Sequence, residues 1–355
     1  MKICIVCTRF NLKRLGGVER VILNLSKKII SKGHDVTIIC KQEWDECLYE
    51  KHAGIKIKRV KCVKSPGLKT STAFFSLRKK ILNEKADIYN PHDWSSGFLF
   101  LFGKMNKLKY ILTSHGFLAD YESPPLLAKM VEKFVFSKTK AEIVCVQRFS
   151  KNTNYLNDYN MEYIPNGVHT NLFSIDKSSK DGEYVLFVAS IDERKNIARV
   201  CKAFSENGLP IRIVGDGPLR KMLSQKYKKD RNIKFLGRRE GLGLIKLFQK
   251  CKFFVLPSTA EGFGLVWIEA QSCGKPIVAS NVGVGPELII DKDFGRLINN
   301  TSSQTDISRN IISLNKQIDQ DGTKSEKIRK NIINNYSWDS ISDKYLNKFE
   351  VLLSK

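Results

Sequence analysis

A chain of 355 residues with 42% hydrophobic and 27% charged residues has a globular composition and room for two sheet-based cores of roughly 150–180 residues each. That excludes a disordered or fibrous chain, and no run approaches the roughly 18 to 20 apolar residues of a membrane span, so a cytoplasmic location is expected. Sixty Lys and Arg against 36 Asp and Glu leave a net charge of +24, which suits a nucleic acid, an anionic membrane surface or a phosphate-bearing substrate as partner.

Met1 to Thr8 reads as a buried strand, with Ile3 to Cys7 as a first core strand and not a signal peptide. Cys4 and Cys7 fall on opposite faces of it and read as small buried hydrophobes, and the nine scattered cysteines fit a reducing compartment. Gly16-Gly17 and a helical pattern over Val18 to Ile30 follow, a strand, glycine loop and helix suited to approaching a phosphate. Further strands are expected at Val36–Cys40, Ile55–Val60, Ile88–Asn90, Tyr110–Thr113 and Glu142–Val146. The polar stretch Ser174 to Asp181 reads as a linker. A second series follows at Tyr184–Ala189, Ile211–Val214, Ile233–Phe235, Phe253–Leu256 and Pro276–Ala279, and Trp338 to Leu353 has the period of an amphipathic helix. The fold class is α/β, with two Rossmann-like, doubly wound domains whose strand ends face a cleft.

The densest chemistry lies in Val255 to Ile289. Glu261 belongs to the loop ahead of a helix that starts near Leu265, where it could reach a sugar hydroxyl while the helix's free N–H groups face a phosphate. Glu269, more than a turn into that helix, could accept hydrogen bonds from the two ribose hydroxyls, a task that suits an acceptor-only group.

This stretch resembles the signature of retaining glycosyltransferase family 4, the glycosyl transferases group 1, which has the GT-B fold. The resemblance extends through Gly16-Gly17-Val18-Glu19-Arg20, Thr113-Ser114-His115-Gly116, Ile164-Pro165-Asn166-Gly167-Val168, Ile213 to Arg220, Phe235-Leu236-Gly237 and Trp338, in the family's order and over essentially the whole chain. It implies an N-terminal acceptor domain over 1–172, a nucleotide-sugar donor domain over 173–337 and a helix over 338–355 that crosses back to the first domain. It implies a catalytic group of His115, Glu261 and Lys195, with Lys195 directed at the donor diphosphate in place of a metal ion. Donor contacts fall to Gly16, Gly17, Arg194, Lys195, Gly237, Arg238, Arg239, Glu261, Gly262, Phe263, Gly264, Leu265 and Glu269. His92, in Asn90-Pro91-His92-Asp93-Trp94, matches a strand end with a structural or acceptor-side role. Ser190 stands where the family commonly has arginine, and Arg194 is the nearest compensating cation.

No cofactor and no metal are expected, the nucleotide sugar being a substrate, with UDP-sugars the commonest donors. Asp291-Lys292-Asp293 has a metal-binding spacing but precedes Phe294 to Leu297, which reads as an exposed turn before a strand. Retention is expected by front-face attack, since the resemblance supplies no nucleophilic carboxylate. The acceptor is expected to be a glycan or lipid-linked. Residues 1 to 170 hold 29 basic and 15 acidic side chains, and Thr70 to Lys85 reads either as a basic amphipathic helix on an anionic bilayer or as a surface helix with its apolar side in the core. Phe117 to Phe136 is a second candidate, as an acceptor-side lip. A nucleic-acid partner is not expected, because no helix-turn-helix, RNP-type aromatic pair or zinc finger is present. A non-catalytic nucleotide-sugar binder and a basic nucleic-acid-binding protein are the competing readings.

Overall fold

A computed structural model of the chain describes all residues except 14, 43–45, 62–68, 119–124, 149–157, 160, 177–181 and 300–302, together with the side chains of 69–72. The chain divides into two compact units, Met1–Asn166 with Trp338–Lys355, and Gly167–Ser337.

In the first unit five strands pair in the order β3-β4-β2-β1-β5, where β1 is Lys2–Arg9, β2 Asp35–Lys41, β3 Tyr49–His52, β4 Ile55–Val60 and β5 Ile88–Pro91. Ile3 to Cys7 of β1 are buried on both faces, as in a central parallel strand covered on each side. The strands run parallel except β3, which pairs antiparallel with β4 across Ala53-Gly54. Both turn residues have positive φ, 48° and 84°, the requirement of a tight hairpin of this hand. A second parallel sheet, β6-β7-β8 (Ile111–Ser114, Glu142–Cys145, Met161–Tyr163), continues from β5 through bridges Tyr89 to Tyr110 and His92 to Thr113. Helices α1 (Gly17–Ser31), α2 (Lys69–Leu82), α3 (Asp93–Gly97) and α4 (Leu126–Lys138) accompany these sheets.

The second unit is one six-stranded parallel sheet ordered β11-β10-β9-β12-β13-β14. Its strands are β9 Val185–Val188, β10 Ile211–Val214, β11 Ile233–Gly237, β12 Phe254–Leu256, β13 Ile277–Ser280 and β14 Gly295–Ile298. Its helices are α5 (Ile197–Asn207), α6 (Arg220–Lys226), α7 (Gly241–Lys250), α8 (Leu265–Ser272), α9 (Gly285–Leu288), α10 (Gln304–Asp321) and α11 (Ser325–Tyr336). The last helix, α12 (Trp338–Ser354), returns to the first unit and lies beside α1. Lys28 Nζ donates to Asp339 at 2.6 Å, Lys32 pairs with Asp343, and Lys348 bridges Glu142 and Glu162 at 2.5 Å each. Trp338, Ile341, Tyr345 and Phe349 form its buried face.

Several expectations change. The chain passes between units at Asn166–Gly167, ahead of the 172/173 division read from the sequence. Of the supposed linker, 177–181 lie outside the described residues. Just before it, Phe173 is tied into the second unit, its carbonyl accepting from Arg329 at 2.7 Å and from the Ser272 hydroxyl at 2.6 Å. The turn reading of Phe294–Leu297 is corrected: β14 begins at Gly295. Asp291 and Asp293 both pair with Lys327 Nζ, at 2.8 and 2.9 Å, so an ammonium already sits between these carboxylates.

Helix α2 turns its apolar side inward. Ala73, Leu77 and Ile81 are buried, and Arg78 donates to the carbonyls of Leu99 and Phe102 at 2.6 Å each. The core-facing alternative for Thr70 to Lys85 therefore describes this segment, with Phe75 alone among its aromatics strongly exposed. Helix α4 does the reverse. It buries Glu132, Val135 and Phe136 and exposes Leu126, Leu127, Met130 and Phe134 along one side. Residues 119–124 of the expected lip lie outside the described residues. Among the described residues no helix is long and apolar enough to cross a membrane.

Candidate functional site

In the second unit the order of the sheet reverses between β9 and β12: β10 and β11 build outward from one side, β13 and β14 from the other. Loops leaving two such strands diverge and open a crevice at their carboxyl ends. The loop after β9 carries Lys195 at the end of a short 3-10 turn, Glu193–Lys195, and the loop after β12 carries Glu261. Their side chains meet across the reversal, Lys195 Nζ to Glu261 Oε1 at 2.5 Å, with only 11% and 14% of each side chain exposed. Ser258 Oγ donates to the same carboxylate oxygen at 2.8 Å. Asn196, at φ 52°, turns its amide onto the Pro257 carbonyl at 2.6 Å, and Thr259 N donates to Arg194 O at 2.8 Å. Two segments more than sixty residues apart are thus pinned into one cluster.

The expected donor residues of this unit ring the same edge of the sheet. The Gly215–Arg220 turn follows β10, and Gly215 N donates to Gly237 O at the end of β11, 3.0 Å away. Arg238 pairs with Glu240 at 2.6 Å, and Arg239 is exposed. Gly262 and Leu265 are half-buried and Phe263 is buried, its carbonyl accepting from Val284 N at 2.8 Å. Gly264, at φ +96°, ends the loop and starts α8. Glu269 lies on the second turn of α8, half-buried.

A separate cluster stands at the corresponding reversal of the first unit, between β1 and β5. Gly16 and Gly17 open α1 after β1. A Cβ added at Gly17 would meet nothing within 4 Å, so no protein contact there requires a glycine. After β5 and β6 come His92 and His115, both buried, with His92 Nδ1 and His115 Nε2 2.6 Å apart. Asp93, at φ 65°, holds His115 N through its carboxylate at 3.0 Å. His92 Nε2 lies 2.9 Å from Asn90 Oδ1. Sequence reasoning singled out His115 but not its links to Asn90 and Asp93, whose only signal is the compact Asn90-Pro91-His92-Asp93 strand end.

The model of the glycosyl transferases group 1 matches residues 169–335, and that of glycosyltransferase family 4 matches residues 15–172. Together the two models span residues 15–335, and the chain belongs to the glycosyltransferases they describe. It is 27% identical over 312 residues to an uncharacterized glycosyltransferase of Methanocaldococcus jannaschii, covering 84% of this chain and 85% of the relative. It is 28% identical over 312 residues to the UDP-Gal:α-D-GlcNAc-diphosphoundecaprenol α-1,3-galactosyltransferase of Escherichia coli, covering 79% and 80%. The sucrose-phosphate synthase of Thermosynechococcus elongatus superposes with a TM-score of 0.84 at 18% identity, covering 99% of each chain, which places this family member in the GT-B fold.

Against the family pattern, the Ser190 departure has a structural answer. Ser190 Oγ donates to Asp192 Oδ2 at 2.7 Å, and Arg194 Nη2 reaches the same oxygen at 3.2 Å. Adjacent residues such as Arg194 and Lys195 need not point alike. Ser190 and Arg194 thus meet on one carboxylate oxygen of Asp192. Burial raises the Asp192 carboxyl, but the Ser190 hydroxyl and Arg194 outweigh it and hold the group below its usual range.

The first-unit histidines of this glycosyltransferase also constrain stability. Burial pushes His92 well below the ordinary histidine value, aided by neighbouring His115, and burial lowers His115 too, against the pull of Asp93 and Glu19. His34, burial again the main cause, shifts the same way. The unfolded chain therefore takes up protons at a pH where the folded chain does not. Stability is full above about pH 6.5 and falls below it, by up to about 1.4 kcal/mol per pH unit for each such histidine. Denaturant unfolding between about pH 7 and 5 checks this: the slope should shrink in His92→Gln.

Proposed function

We propose that this family member is a retaining, metal-independent glycosyltransferase that moves a hexose-type sugar from a nucleoside diphosphate, UDP first among the candidates, to a glycan or lipid-linked acceptor. The observation that carries the reading is the Lys195–Glu261 pair at the β9/β12 reversal. A part-buried cation beside a carboxylate is a pair a substrate can enter: the diphosphate takes over the ammonium and a sugar hydroxyl takes over the carboxylate. Lys195 then neutralises charge as the glycosidic bond to the diphosphate breaks, the work a metal ion does elsewhere. The N–H groups at the start of α8 add a fixed positive potential, and Glu269 holds the ribose hydroxyls. The acceptor oxygen forms its bond to the anomeric carbon from the leaving-group side, and its proton passes to the departing diphosphate. On the first unit His115 offers a neutral imidazole to a hydroxyl of a bound substrate.

The relative from Escherichia coli is named for a UDP-galactose donor and a diphosphoundecaprenol-linked acceptor, which supports a UDP-sugar and a lipid-linked acceptor here. Thermal-shift screening against UDP, GDP, ADP and their sugar conjugates in EDTA tests the donor half. Stabilisation by one diphosphate that persists in EDTA and vanishes in Glu269→Ala is expected. Stabilisation only with added divalent metal contradicts metal independence.

For the acceptor side, we assign the exposed apolar row of α4 to an anionic membrane surface. Leu126 and Leu127 are more than 70% exposed, with Met130 and Phe134 continuing the row and Lys133 and Lys138 also exposed. Apolar side chains flanked by cations are what an acidic bilayer interface retains. Flotation with vesicles containing phosphatidylglycerol should carry the protein upward. Leu126→Ser/Leu127→Ser should lower the bound fraction several-fold, and no binding to any vesicle would remove this assignment.

A further inference from the structure

The hydrogen-bond chain behind His115 has a direction. Asn90 Nδ2 donates to the Ile111 carbonyl at 2.7 Å and contacts Thr113 Oγ1 at 2.9 Å. A carbonyl only accepts, so the Asn90 amide cannot be turned over, and its Oδ1 faces His92 Nε2 as an acceptor. His92 Nε2 must therefore carry a proton. A neutral imidazole has one N–H, which leaves His92 Nδ1 bare and makes His115 Nε2 the donor in the 2.6 Å contact between the rings. His115, neutral in turn, then has a bare Nδ1.

The ring geometry agrees. The planes are inclined by only 21° with centroids 4.9 Å apart, close to the nitrogen separation plus the two centroid-to-nitrogen radii. The nitrogens thus lie nearly on the line of centres, in the plane of both rings, as an N–H···N bond requires and a face-to-face stack does not. Neutrality follows from burial: His92 is 2% and His115 8% exposed. The chain is anchored beyond Asn90 by the Ile111 carbonyl, which belongs to the wholly buried strand β6. Among the described residues nothing bonds to His115 Nδ1, the ring's contact being through Nε2 and the backbone N–H going to Asp93.

We propose that Asn90 and His92 are positioning residues that lock His115 as its Nε2–H tautomer, so that it meets a substrate hydroxyl with Nδ1 as an acceptor. The role of Nδ1 rests on the transferase reading above; the tautomer does not. An acceptor-only nitrogen favours a hydroxyl, which donates, over a phosphate or carboxylate oxygen, which cannot. The lock selects at this position for the carbohydrate and against the diphosphate.

Long-range proton–nitrogen correlation spectra of the full chain, labelled with 15N-histidine and free of ligand at neutral pH, read each tautomer directly. His115→Gln assigns the signals. The expected spectrum has His115 and His92 both protonated on Nε2 and bare on Nδ1. His92→Phe, or Asn90→Leu if that variant does not fold, should move His115 to a mixture of tautomers. A wild-type His115 protonated on Nδ1, or a tautomer unchanged in both variants, overturns the lock. The acceptor role is read separately. With the donor chosen by thermal shift, His92→Phe should lower kcat about ten-fold, the worth of one hydrogen bond, while stabilisation by the nucleoside diphosphate stays the same. Mixed tautomers with unchanged kcat would retain the lock and overturn the role.

Discussion

Lys195→Met should lower kcat for sugar transfer by about 10²- to 10³-fold, the usual loss when a group that stabilises transition-state charge is removed. The same substitution leaves the Glu261 carboxylate, 14% exposed, without its cation. Breaking one side of a fully buried pair costs about 3–5 kcal/mol of stability; this part-buried pair should cost less, but the variant should still unfold more readily, and inactivity alone would be ambiguous. The double variant Lys195→Met/Glu261→Gln separates the two effects. With the charge gone, its amide can still accept from the Ser258 hydroxyl, which now donates to Glu261 at 2.8 Å. Its unfolding free energy should return most of the way to wild type while activity stays absent. Recovery of activity together with stability would mean that the pair is structural and that neither residue meets the donor.

Gly264→Ala should be among the most destabilising single changes in the second unit. Two independent demands fall on this residue. Its φ of +96° lies in a region that costs a residue with a Cβ about 1–2 kcal/mol. A Cβ there would also stand 2.2 Å from Cε3 of Trp267, which is fully buried and has no room to withdraw. Overpacking of that kind adds about 1–3 kcal/mol, for a total near 3–4 kcal/mol by denaturant unfolding. The strain falls on the first turn of α8, so any folded fraction should bind nucleoside diphosphate poorly. Gly17→Ala is the contrasting case. Its Cβ meets nothing in the protein, and alanine suits a helix start better than glycine. Stability should hold or rise slightly, and a loss of activity there would point to close approach by the substrate.

Parallel strands were legible because β1, β2, β9 and β13 are short apolar runs bounded by turn residues, the pattern of strands covered on both faces. The missed strands lacked that pattern. β3, Tyr-Glu-Lys-His, is an edge strand with no buried residue, and β8 has three residues, of which only Met161 is buried. Both are defined by their partners and not by their own hydrophobicity. Glu261, Gly264 and Glu269 were legible as a local motif, and Lys195 by its place in the family pattern. The pairing of Lys195 with Glu261 was not, because it arises from the reversal of strand order between β9 and β12, which no spacing along the chain records. The same holds for His92 and His115. They stand at the ends of two strands that become neighbours through the bridges Tyr89 to Tyr110 and His92 to Thr113, and the tautomer follows from the Asn90 amide, fixed by a backbone carbonyl.

The most direct test is a transfer assay in EDTA with UDP-glucose, UDP-galactose and their N-acetyl forms, beside a polyprenyl-diphosphate-linked sugar acceptor. Released nucleoside diphosphate and extended acceptor are counted together. Transfer by the Lys195–Glu261 cluster predicts equal amounts of both with one donor, no effect of the chelator, and loss of both in Lys195→Met/Glu261→Gln. A donor that binds and stabilises the protein, yet yields neither product in EDTA nor after magnesium or manganese is restored, would contradict it.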